Sequence, residues 1–419
     1  MTEWQKVKLG DICDVRDGTH DSPKQSLEGK FLVTSKHIKG GKIDLSSAYK
    51  ISLEDFNFVN QRSKVEQWDI LISMIGTVGE ICLICTPPDF AIKNVGLIKA
   101  GNKDLAQYLF YYLKSPISQN DIETRLKGTT QQYLSLSEIR DFPVFLPPLE
   151  IQRKIAGILG ALDDRIDVLR RENVVLEQMA QAVFQSWFVD FDIVRAKAAG
   201  TPESEVCEKY HISPELYALF PSALTPDDLP LGWEKLPFSE TMKIVSGGTP
   251  KTTEADFWNG NIPWYSVVDA PASVYVLDTE KHITQQGLEN SPCSLLKKDT
   301  VIISARGTVG KLAMVGKEMA MNQSCYGLEF DFPYYGYLTT RQMLVYLRQN
   351  VHGAVFDTIT KDTFKTVETV NVPRALQENF TKLVSSFFEK IYKNAQQIRA
   401  LSATRDALLP KLMNGEIEV

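Results

Sequence analysis

The sequence predicts an α+β protein in which two duplicated, strand-rich domains are joined by two long antiparallel helices that form a coiled coil, with pseudo-twofold symmetry. Three observations predict this fold. Segments of the first half recur about 230 positions later in the second half. Each half ends in a heptad pattern of apolar residues. A chain of 419 residues is also longer than one domain usually is.

The recurring segments define two domains, which we place at residues 1–148 and 233–373. DILISMIGTVGEICLI (69–84) aligns with DTVIISARGTVGKLAMV (299–315), and RDGTHDSPK (16–24) aligns with SGGTPK (246–251). Likewise, GTTQQYLSLSEIRDFPVFLPP (128–148) aligns with GAVFDTITKDTFKTVETVNVPR (353–374). Short apolar runs broken by Gly, Pro, Asn and Asp predict strands in both copies.

The Gly-Thr-Val-Gly stretch in both copies has some likeness to a phosphate loop, which reads G-x-x-x-x-G-K-[ST]. In the second copy, however, Ala305 replaces the first glycine and Leu312 replaces the hydroxyl residue that would hold magnesium. The first copy has Glu80 in place of the lysine, and a carboxylate there would repel phosphate. We therefore interpret the stretch as a tight turn that the repeated fold needs.

The first long helix is predicted at residues 149–191, directly after Pro147–Pro148, because proline is tolerated at a helix entrance. Its apolar positions alternate steps of four and three, which is typical of a coiled-coil seam. The seam comprises Ile155, Leu159, Leu162, Ile166, Leu169, Asn173 and Leu176.

The second long helix is predicted at residues 374–419, with a stop signal at Asn414–Gly415. Its seam comprises Phe387, Ile391, Asn394, Ile398 and Leu401. The two polar positions, Asn173 and Asn394, face each other if the helices pair antiparallel, and an Asn in a seam fixes the register. The alternative is two unrelated core helices, but a helix of roughly 55 Å is too long for the core of a small domain.

Charge and composition restrict the class of protein. The net charge of −6 conceals a local +4 at residues 24–50 and a local −5 at residues 190–232, so a basic patch remains possible. We assign residues 192–232 to an acidic linker. No membrane span or signal peptide is expected, and six scattered cysteines indicate reduced thiols in the cytoplasm. Cys82 and Cys85 form a C-x-x-C, which we interpret as ordinary buried cysteines.

Several motifs in a specific order resemble the specificity subunit of type I restriction–modification systems over essentially the whole chain. They are LPPLEIQRKIAGILGALDDRI, AVFQSWFVDF (182–191), LGWEKLPF, GGTPKTTEADFWNGNIPWYS (247–266) and the two GTVG copies. The resemblance implies two target-recognition domains that read an asymmetric, bipartite site in double-stranded DNA. It also implies that the helices dock two methyltransferase subunits, and that nuclease/translocase subunits join the full complex.

The same resemblance implies a non-catalytic subunit without cofactors of its own, since S-adenosylmethionine, ATP and Mg would belong to the partner subunits. The residues agree with this expectation. TPPDF and LPPLE lack the Asn or Asp before the prolines and the aromatic residue after them, as an amino-methyltransferase motif would require. The five histidines show no metal-ligand spacing, so neither a catalytic nor a metal site is predicted.

DNA contacts are expected where donors and acceptors lie on loops with basic residues around them. The first domain offers Lys36, His37, Lys39, Lys42, Lys93, Asn94, Lys127, Thr129, Thr130, Gln131 and Gln132. The second offers Thr249, Lys251, Trp264, Tyr265, Ser266, Arg306, Thr308, Asn322, Gln323 and Lys361. Arg306 precedes the GTVG turn where the first copy has Ile75, and Arg is the usual partner of guanine.

Alternatives remain open for these residues and for the whole chain. The lysines could be solvated surface groups, Arg306 could contact a phosphate or nothing, Asn94 could hold a turn, and Trp264 could belong to the core. The chain could also be an assembly scaffold whose domains bind protein without reading DNA. If it does read DNA, the helices are expected to set the gap between half-sites, with centres about 34 Å apart.

Overall fold

The structure, a computed structural model, describes residues 4–350 and 358–419, with residues 348–350 described by their backbone only. Residues 353–357, at the start of one repeated segment, therefore lie outside the described part. The chain divides into unit 1 (residues 1–165 and 401–419) and unit 2 (residues 166–400). Among the described residues, no helix has the length and apolar character to span a membrane.

Unit 1 contains eleven strands and five complete helices among the described residues, together with part of each long helix. The strands are β1 (Gln5–Lys8), β2 (Asp14–Asp17), β3 (Lys30–Val33), β4 (Ile38–Lys39), β5 (Lys42–Ile43), β6 (Lys50–Ile51), β7 (Asp69–Ser73), β8 (Ile81–Leu83), β9 (Phe90–Ile92), β10 (Val95–Lys99) and β11 (Pro143–Leu146). The helices are α1 (Leu9–Ile12), α2 (Leu53–Ser63), α3 (Lys103–Lys114), α4 (Pro116–Thr124), α5 (Leu136–Arg140), residues 149–165 of α6 (Leu149–Phe188) and residues 401–413 of α13 (Arg374–Met413).

The main sheet of unit 1 has the strand order β2-β10-β7-β8, and all its pairs are antiparallel. The central strand β7 has the sequence DILIS and is buried at all five positions, so its apolar run is continuous and does not alternate. A second sheet has the order β6-β3-β9, in which β3 and β9 are parallel. Two antiparallel pairs, β1 with β11 and β4 with β5, complete the unit.

Unit 2 repeats this arrangement. Its strands are β12 (Glu234–Pro237), β13 (Lys243–Ser246), β14 (Trp258–Tyr265), β15 (Tyr275–Val276), β16 (His282–Ile283), β17 (Val301–Ser304), β18 (Leu312–Val315), β19 (Ala320–Met321), β20 (Cys325–Glu329) and β21 (Glu368–Asn371). Its helices are residues 166–188 of α6, α7 (Asp192–Ala198), α8 (Glu203–Tyr210), α9 (Pro214–Leu219), α10 (Gln285–Glu289), α11 (Pro333–Asn350), α12 (Lys361–Thr366) and residues 374–400 of α13 (Arg374–Met413).

The sheets of the two units correspond strand by strand. The order β13-β20-β17-β18 in unit 2 matches β2-β10-β7-β8, with β15 added at the end. The parallel pair β14–β19 matches β3–β9, and β12–β21 matches β1–β11. The α+β class and the duplication predicted from the sequence are therefore confirmed.

The two long helices contact each other in both units and run antiparallel in unit 2. In unit 2, Asn394 Nδ2 of α13 donates to Asn173 Oδ1 of α6 over 2.9 Å, as the seam pattern predicts. In unit 1, Arg405 of α13 donates to Asp163 of α6 over 2.6 Å. Phe184 of α6 also packs against Phe380 of α13 in unit 2, so the residue number falls along α13 as it rises along α6, which confirms the antiparallel direction in that unit.

Burial along the helices follows the heptad pattern closely. Within α6, the fully buried seam positions are Ile155, Leu159, Ile166, Leu169 and Asn173, whereas Leu162 and Leu176 are half-buried. Within α13, Ile391 and Asn394 are buried, and Ile398 and Leu401 are half-buried. One position differs, because Phe388 is fully buried against Tyr334 while the assigned Phe387 is only half-buried.

Two sequence features have a different local structure from the one expected. Residues 192–232 contain the three short helices α7, α8 and α9, and Ile193, Val194 and Val206 belong to the core of unit 2. Cys82 is buried, and burial raises the pKa of its thiol to about 12. Cys85 lies beyond the end of β8 and is exposed, so the expectation that both cysteines are buried is wrong for Cys85.

Candidate nucleic-acid interface

Several loops of unit 1 meet at one edge of its main sheet. Strand β2 ends at Asp17 and β7 ends at Ser73, while β10 begins at Val95, and these three ends are neighbours in the sheet. The loop after Lys127 joins them because Leu134 N donates to Met74 O over 2.9 Å. We call the resulting surface, formed by residues 18–22, 74–80, 93–94 and 127–133, the turn face of unit 1.

Unit 2 has the equivalent turn face, formed by residues 247–251, 305–311, 322–324 and 358–361. Strands β13 and β17 end there and β20 begins there, in the same register as in unit 1. Ala305 joins two of the loops, because its N–H donates to Ser324 O over 2.7 Å and its carbonyl accepts from Ile359 N over 2.9 Å. In each unit, therefore, the loops meet at the equivalent edge of the main sheet.

The GTVG turn has the same geometry in both units. Gly76 and Gly79 have φ of 82° and 89°, and Gly307 and Gly310 have φ of 75° and 80°, which is left-handed backbone that favours glycine. In unit 1, Ser73 Oγ donates to Thr77 O and accepts from Glu80 N at 2.8 Å. In unit 2, Ser304 Oγ donates to Thr308 O over 2.6 Å and accepts from Lys311 N at 2.8 Å. A buried serine thus braces each turn.

The loop that begins at Lys127 carries five of the predicted contacts of unit 1 and is exposed on the turn face. Thr129, Thr130, Gln131 and Gln132 are all exposed. Lys127 is exposed too, and its Nζ lies 3.0 Å from Glu138 Oε1; the hydrogen bond to this carboxylate, followed by its charge, raises the pKa of the lysine. Backbone hydrogen bonds of 2.9 Å in both directions between Lys127 and Tyr133 close the loop at its base.

Lys93 and Asn94 lie on the turn face but are half-buried and engaged locally. Asn94 has a left-handed φ of 52°, and its Oδ1 lies 2.8 Å from His20 Nδ1. His20 Nε2 in turn lies 2.9 Å from Asp17 Oδ2. Lys93 Nζ donates to Ser22 Oγ. Sequence reasoning missed His20 and Asp17, although the polar string RDGTHDS was the available signal.

The β4–β5 hairpin carries Lys39 and Lys42, and Lys36 lies in the single helical turn Ser35–His37 just before it. Lys36, Lys39 and Lys42 are exposed, and Lys39 Nζ lies 3.6 Å from Asp44 Oδ2. The hairpin is attached to the GTVG turn, because Gly40 N donates to Glu80 Oε2 over 3.2 Å. The basic residues are therefore adjacent to the turn face of unit 1.

Three predicted contacts have buried side chains, so this structure does not present them to DNA. His37 is 1% exposed, and its Nδ1 accepts from Thr34 N at 2.9 Å. Trp264 is 7% exposed and donates its indole N–H to Gly248 O over 3.0 Å. Tyr265 is fully buried in β14, where its ring belongs to a core cluster. The alternative that Trp264 belongs to the core, and does not contact DNA, therefore agrees with the structure.

Of the other predicted residues of unit 2, some make hydrogen bonds with nearby side chains or backbone, and some have exposed side chains. Ser266 Oγ donates to Asp269 Oδ2 over 2.9 Å, and Asn322 Oδ1 accepts from Ser324 N at 3.0 Å. Thr249 Oγ1 donates to Gln323 Oε1, which ties two loops of the turn face together. The exposed members are Lys251, Arg306, Thr308, Gln323 and Lys361.

The two GTVG turns differ in charge although they share one geometry. The turn of unit 1 carries Ile75 and Glu80, whereas that of unit 2 carries Arg306 and Lys311 at the equivalent positions. Each turn is joined to the equivalent neighbouring loop of its own unit, since isolated bridges pair Ile75 with Tyr133 in unit 1 and Arg306 with Thr358 in unit 2. The fold is thus held constant while the chemistry of the surface changes between units.

Comparisons with known proteins agree on one family. The family described as type I restriction modification DNA specificity domain matches residues 1–178 and 230–401. The HindI specificity subunit of Haemophilus influenzae, a type I restriction enzyme subunit, is 28% identical over 69% of this chain and 72% of its own length. The MjaIX specificity subunit of Methanocaldococcus jannaschii is 24% identical over 100% of this chain and 94% of its own length.

A solved structure supports the fold independently of sequence identity. The S subunit of a type I restriction–modification system from M. genitalium superposes with a TM-score of 0.52 at 16% identity. The match covers 98% of this chain and 96% of that chain. At this identity, the likeness establishes the fold.

Proposed function

This chain belongs to the family of type I restriction modification DNA specificity domains, and we propose that it reads an asymmetric, bipartite site in double-stranded DNA through the turn faces of its two units. One observation carries the proposal: the same sheet edge is exposed in both units, but with different side chains on it. Two units that share one fold but carry different side chains on their turn faces suit a target whose halves have different base sequences.

The chemistry of the turn faces supports DNA as the ligand. Exposed amide, hydroxyl and guanidinium groups, such as Gln131, Thr308 and Arg306, can donate to base edges. Exposed lysines around them, such as Lys36 and Lys361, can neutralise phosphates. The alternative of an assembly scaffold that does not read DNA is not favoured, because the matched family is one of DNA specificity domains.

We also infer that the long helices dock methyltransferase subunits. Val168, Val175 and Met179 of α6 are between 43% and 53% exposed, and their spacing places them on one face of the helix. An exposed apolar stripe of this kind is typical of a protein interface. In the full complex, nuclease/translocase subunits would join the methyltransferases.

The chemical steps would then belong to the partners. S-adenosylmethionine would be bound by the methyltransferase subunits, and ATP and Mg by the subunits that modify or translocate DNA. This chain would contribute recognition and assembly without a catalytic residue of its own. Its place would be the cytoplasm, where the target DNA lies.

Methylation mapping tests the proposal directly. The full chain is expressed with its methyltransferase in cells that lack other adenine methylation, and long-read sequencing locates the modified adenines. We expect one bipartite motif with two unlike halves. Replacing residues 233–373 with those of a relative should change one half only. An active methyltransferase without a bipartite motif, or a change in both halves after the exchange, would contradict the proposal.

A further inference from the structure

The GTVG turn of unit 2 holds Arg306 in a fixed position on the turn face. Ser304 braces the turn from inside, through its bonds to Thr308 O and Lys311 N. On the flanks, Ala305 is bonded to Ser324 and to Ile359. The backbone that carries Arg306 is therefore fixed by hydrogen bonds within the turn and to two neighbouring loops, so little of its freedom remains to be lost on binding.

The side chain of Arg306 is exposed. It makes no hydrogen bond or ion pair with any residue in the described ranges 4–350 and 358–419. By contrast, Arg62, Arg125, Arg153, Arg195 and Arg405 each pair with a carboxylate. A guanidinium with free donors on a fixed turn is suited to a planar acceptor pair outside the chain.

The equivalent position of unit 1 provides a natural comparison. Ile75 occupies the same place in the same turn and has no donor, and it packs partly against the core of unit 1. The fold of the turn thus does not require an arginine. Whatever Arg306 contributes is a property of the surface of unit 2 alone.

We propose that Arg306 is a specificity-determining residue of unit 2, and that its guanidinium reads one guanine in the major groove through O6 and N7. Guanine is the base that offers two acceptors in the spacing of the guanidinium fork. This inference rests on the proposed DNA-reading function and names the contact that unit 2 makes. Unit 1 cannot make the same contact at Ile75, so the two half-sites differ there.

The test uses the full chain in complex with its methyltransferase and duplexes that carry the mapped motif. Each base pair of the motif is substituted singly, and binding is measured for the wild type, Arg306→Gln, Arg306→Lys and Lys311→Gln. Lys311→Gln is the matched control, because it removes the same charge from the same turn. Discrimination at the other base pairs of the half-site of unit 2 reports whether that unit is folded in each variant.

For Arg306→Gln, we expect binding of the mapped duplex to fall by about 5- to 150-fold, with discrimination lost at one G·C pair only. Arg306→Lys should lose most of that discrimination while it keeps the charge, because an ammonium does not form the bidentate pair. Lys311→Gln should leave the discrimination at that base pair intact.

Two results would overturn the assignment. One is an equal loss on every duplex together with a decrease of about 0.9 in the slope of log K against log salt, which is the behaviour of a phosphate contact. The other is unchanged binding and an unchanged motif. In both cases the wild-type complex would still recognise its bipartite motif, so the failure would concern Arg306 and not the proposed function.

Discussion

Ser73 and Ser304 are the residues that hold the GTVG turns in shape. Each is fully buried, and each hydroxyl makes one bond as donor and one as acceptor across the turn. In unit 1 the side chain of Gln119 adds a bond from outside the turn, because its Nε2 donates to Gly79 O over 3.1 Å. The glycines permit the turn, and the serine selects one geometry for it.

Replacing Ser73 with Ala should destabilise the turn of unit 1 by about 1–3 kcal/mol, because Glu80 N–H and Thr77 O lose their buried partner. We expect faster hydrogen exchange at the amide of Glu80. Ser304→Ala should have the same effect at the amide of Lys311. Each variant leaves the other turn as an internal control. Equal exchange in wild type and variant would contradict the bracing role.

His37 makes the stability of unit 1 depend on pH. Burial, followed by the positive charge of Lys36, lowers the pKa of this histidine below its ordinary value. At pH above about 6.5 the ring is neutral in both the folded and the unfolded chain, so the lowered pKa does not change the free energy of unfolding. As the pH falls below that value, the unfolded chain binds a proton that the folded chain resists, and the free energy of unfolding decreases.

The variant His37→Asn should remove this pH dependence, because Asn keeps an acceptor near the position of Nδ1 but does not titrate. Urea unfolding at pH 7.5 and pH 5.5 measures the effect. We expect the loss of stability on acidification to be smaller in His37→Asn than in the wild type. His211→Asn, at an exposed helix end, is the control and should keep the wild-type difference. An unchanged pH response in His37→Asn would refute the assignment.

At the scale of the elements, the long helices are aligned by a buried polar pair. Asn173 and Asn394 are each 1% exposed, and Asn394 also donates to Glu172 Oε2 over 2.9 Å. Burying these amides among apolar residues costs stability, and their hydrogen bond favours one register of the two helices. The pair therefore lowers the stability of the helix packing but defines the alignment of α6 with α13.

Exchanging one asparagine for leucine should be more harmful than exchanging both. Asn394→Leu leaves the Asn173 amide buried without its partner, which costs about 1–3 kcal/mol. The double variant Asn173→Leu, Asn394→Leu places apolar side chains at both positions and should recover most of that loss. Thermal unfolding of the two single variants and the double variant measures the coupling. Additive effects would show that the two amides do not act as a pair.

For the whole molecule, the length of the helices should set the gap between the two half-sites. Inserting one heptad between Arg170 and Arg171 and another between Gln396 and Gln397 keeps the seams in phase, because both points lie within the paired segments. Seven residues add about 10.5 Å of helix, which is about three base pairs of DNA.

Methylation mapping of this double insertion should show a gap that is longer by about three base pairs, with both half-sites unchanged. Insertion into α6 alone is the control, since it breaks the match between the seams and should abolish the motif. An unchanged gap in the double insertion would show that the helices do not act as the spacer. A change in the bases read would show that the recognition surfaces are not independent of the helices.

Local patterns in the sequence were sufficient for the repeated architecture. Heptad spacing has a direct physical cause in helix geometry, so the long helices and the facing pair Asn173–Asn394 could be predicted. Glycines that recur with the same neighbours indicated a turn, and Gly76 and Gly307 adopt left-handed backbone. Phe387 and Phe388 could not be distinguished, because both lie near the seam and side-chain packing decides between them.

What only the tertiary structure decided is which polar residues reach the surface together. His37, Trp264 and Tyr265 have side chains suited to DNA, yet the sheets enclose them, whereas Arg306 and Gln131 remain exposed. The turn face is assembled from loops that are distant in sequence, and strand register brings them to one edge. Composition and periodicity report contacts along the chain, but a recognition surface depends on contacts across the sheet. The sequence by itself therefore determined the duplicated fold and its helices, and the register of the sheets determined the surface that they present.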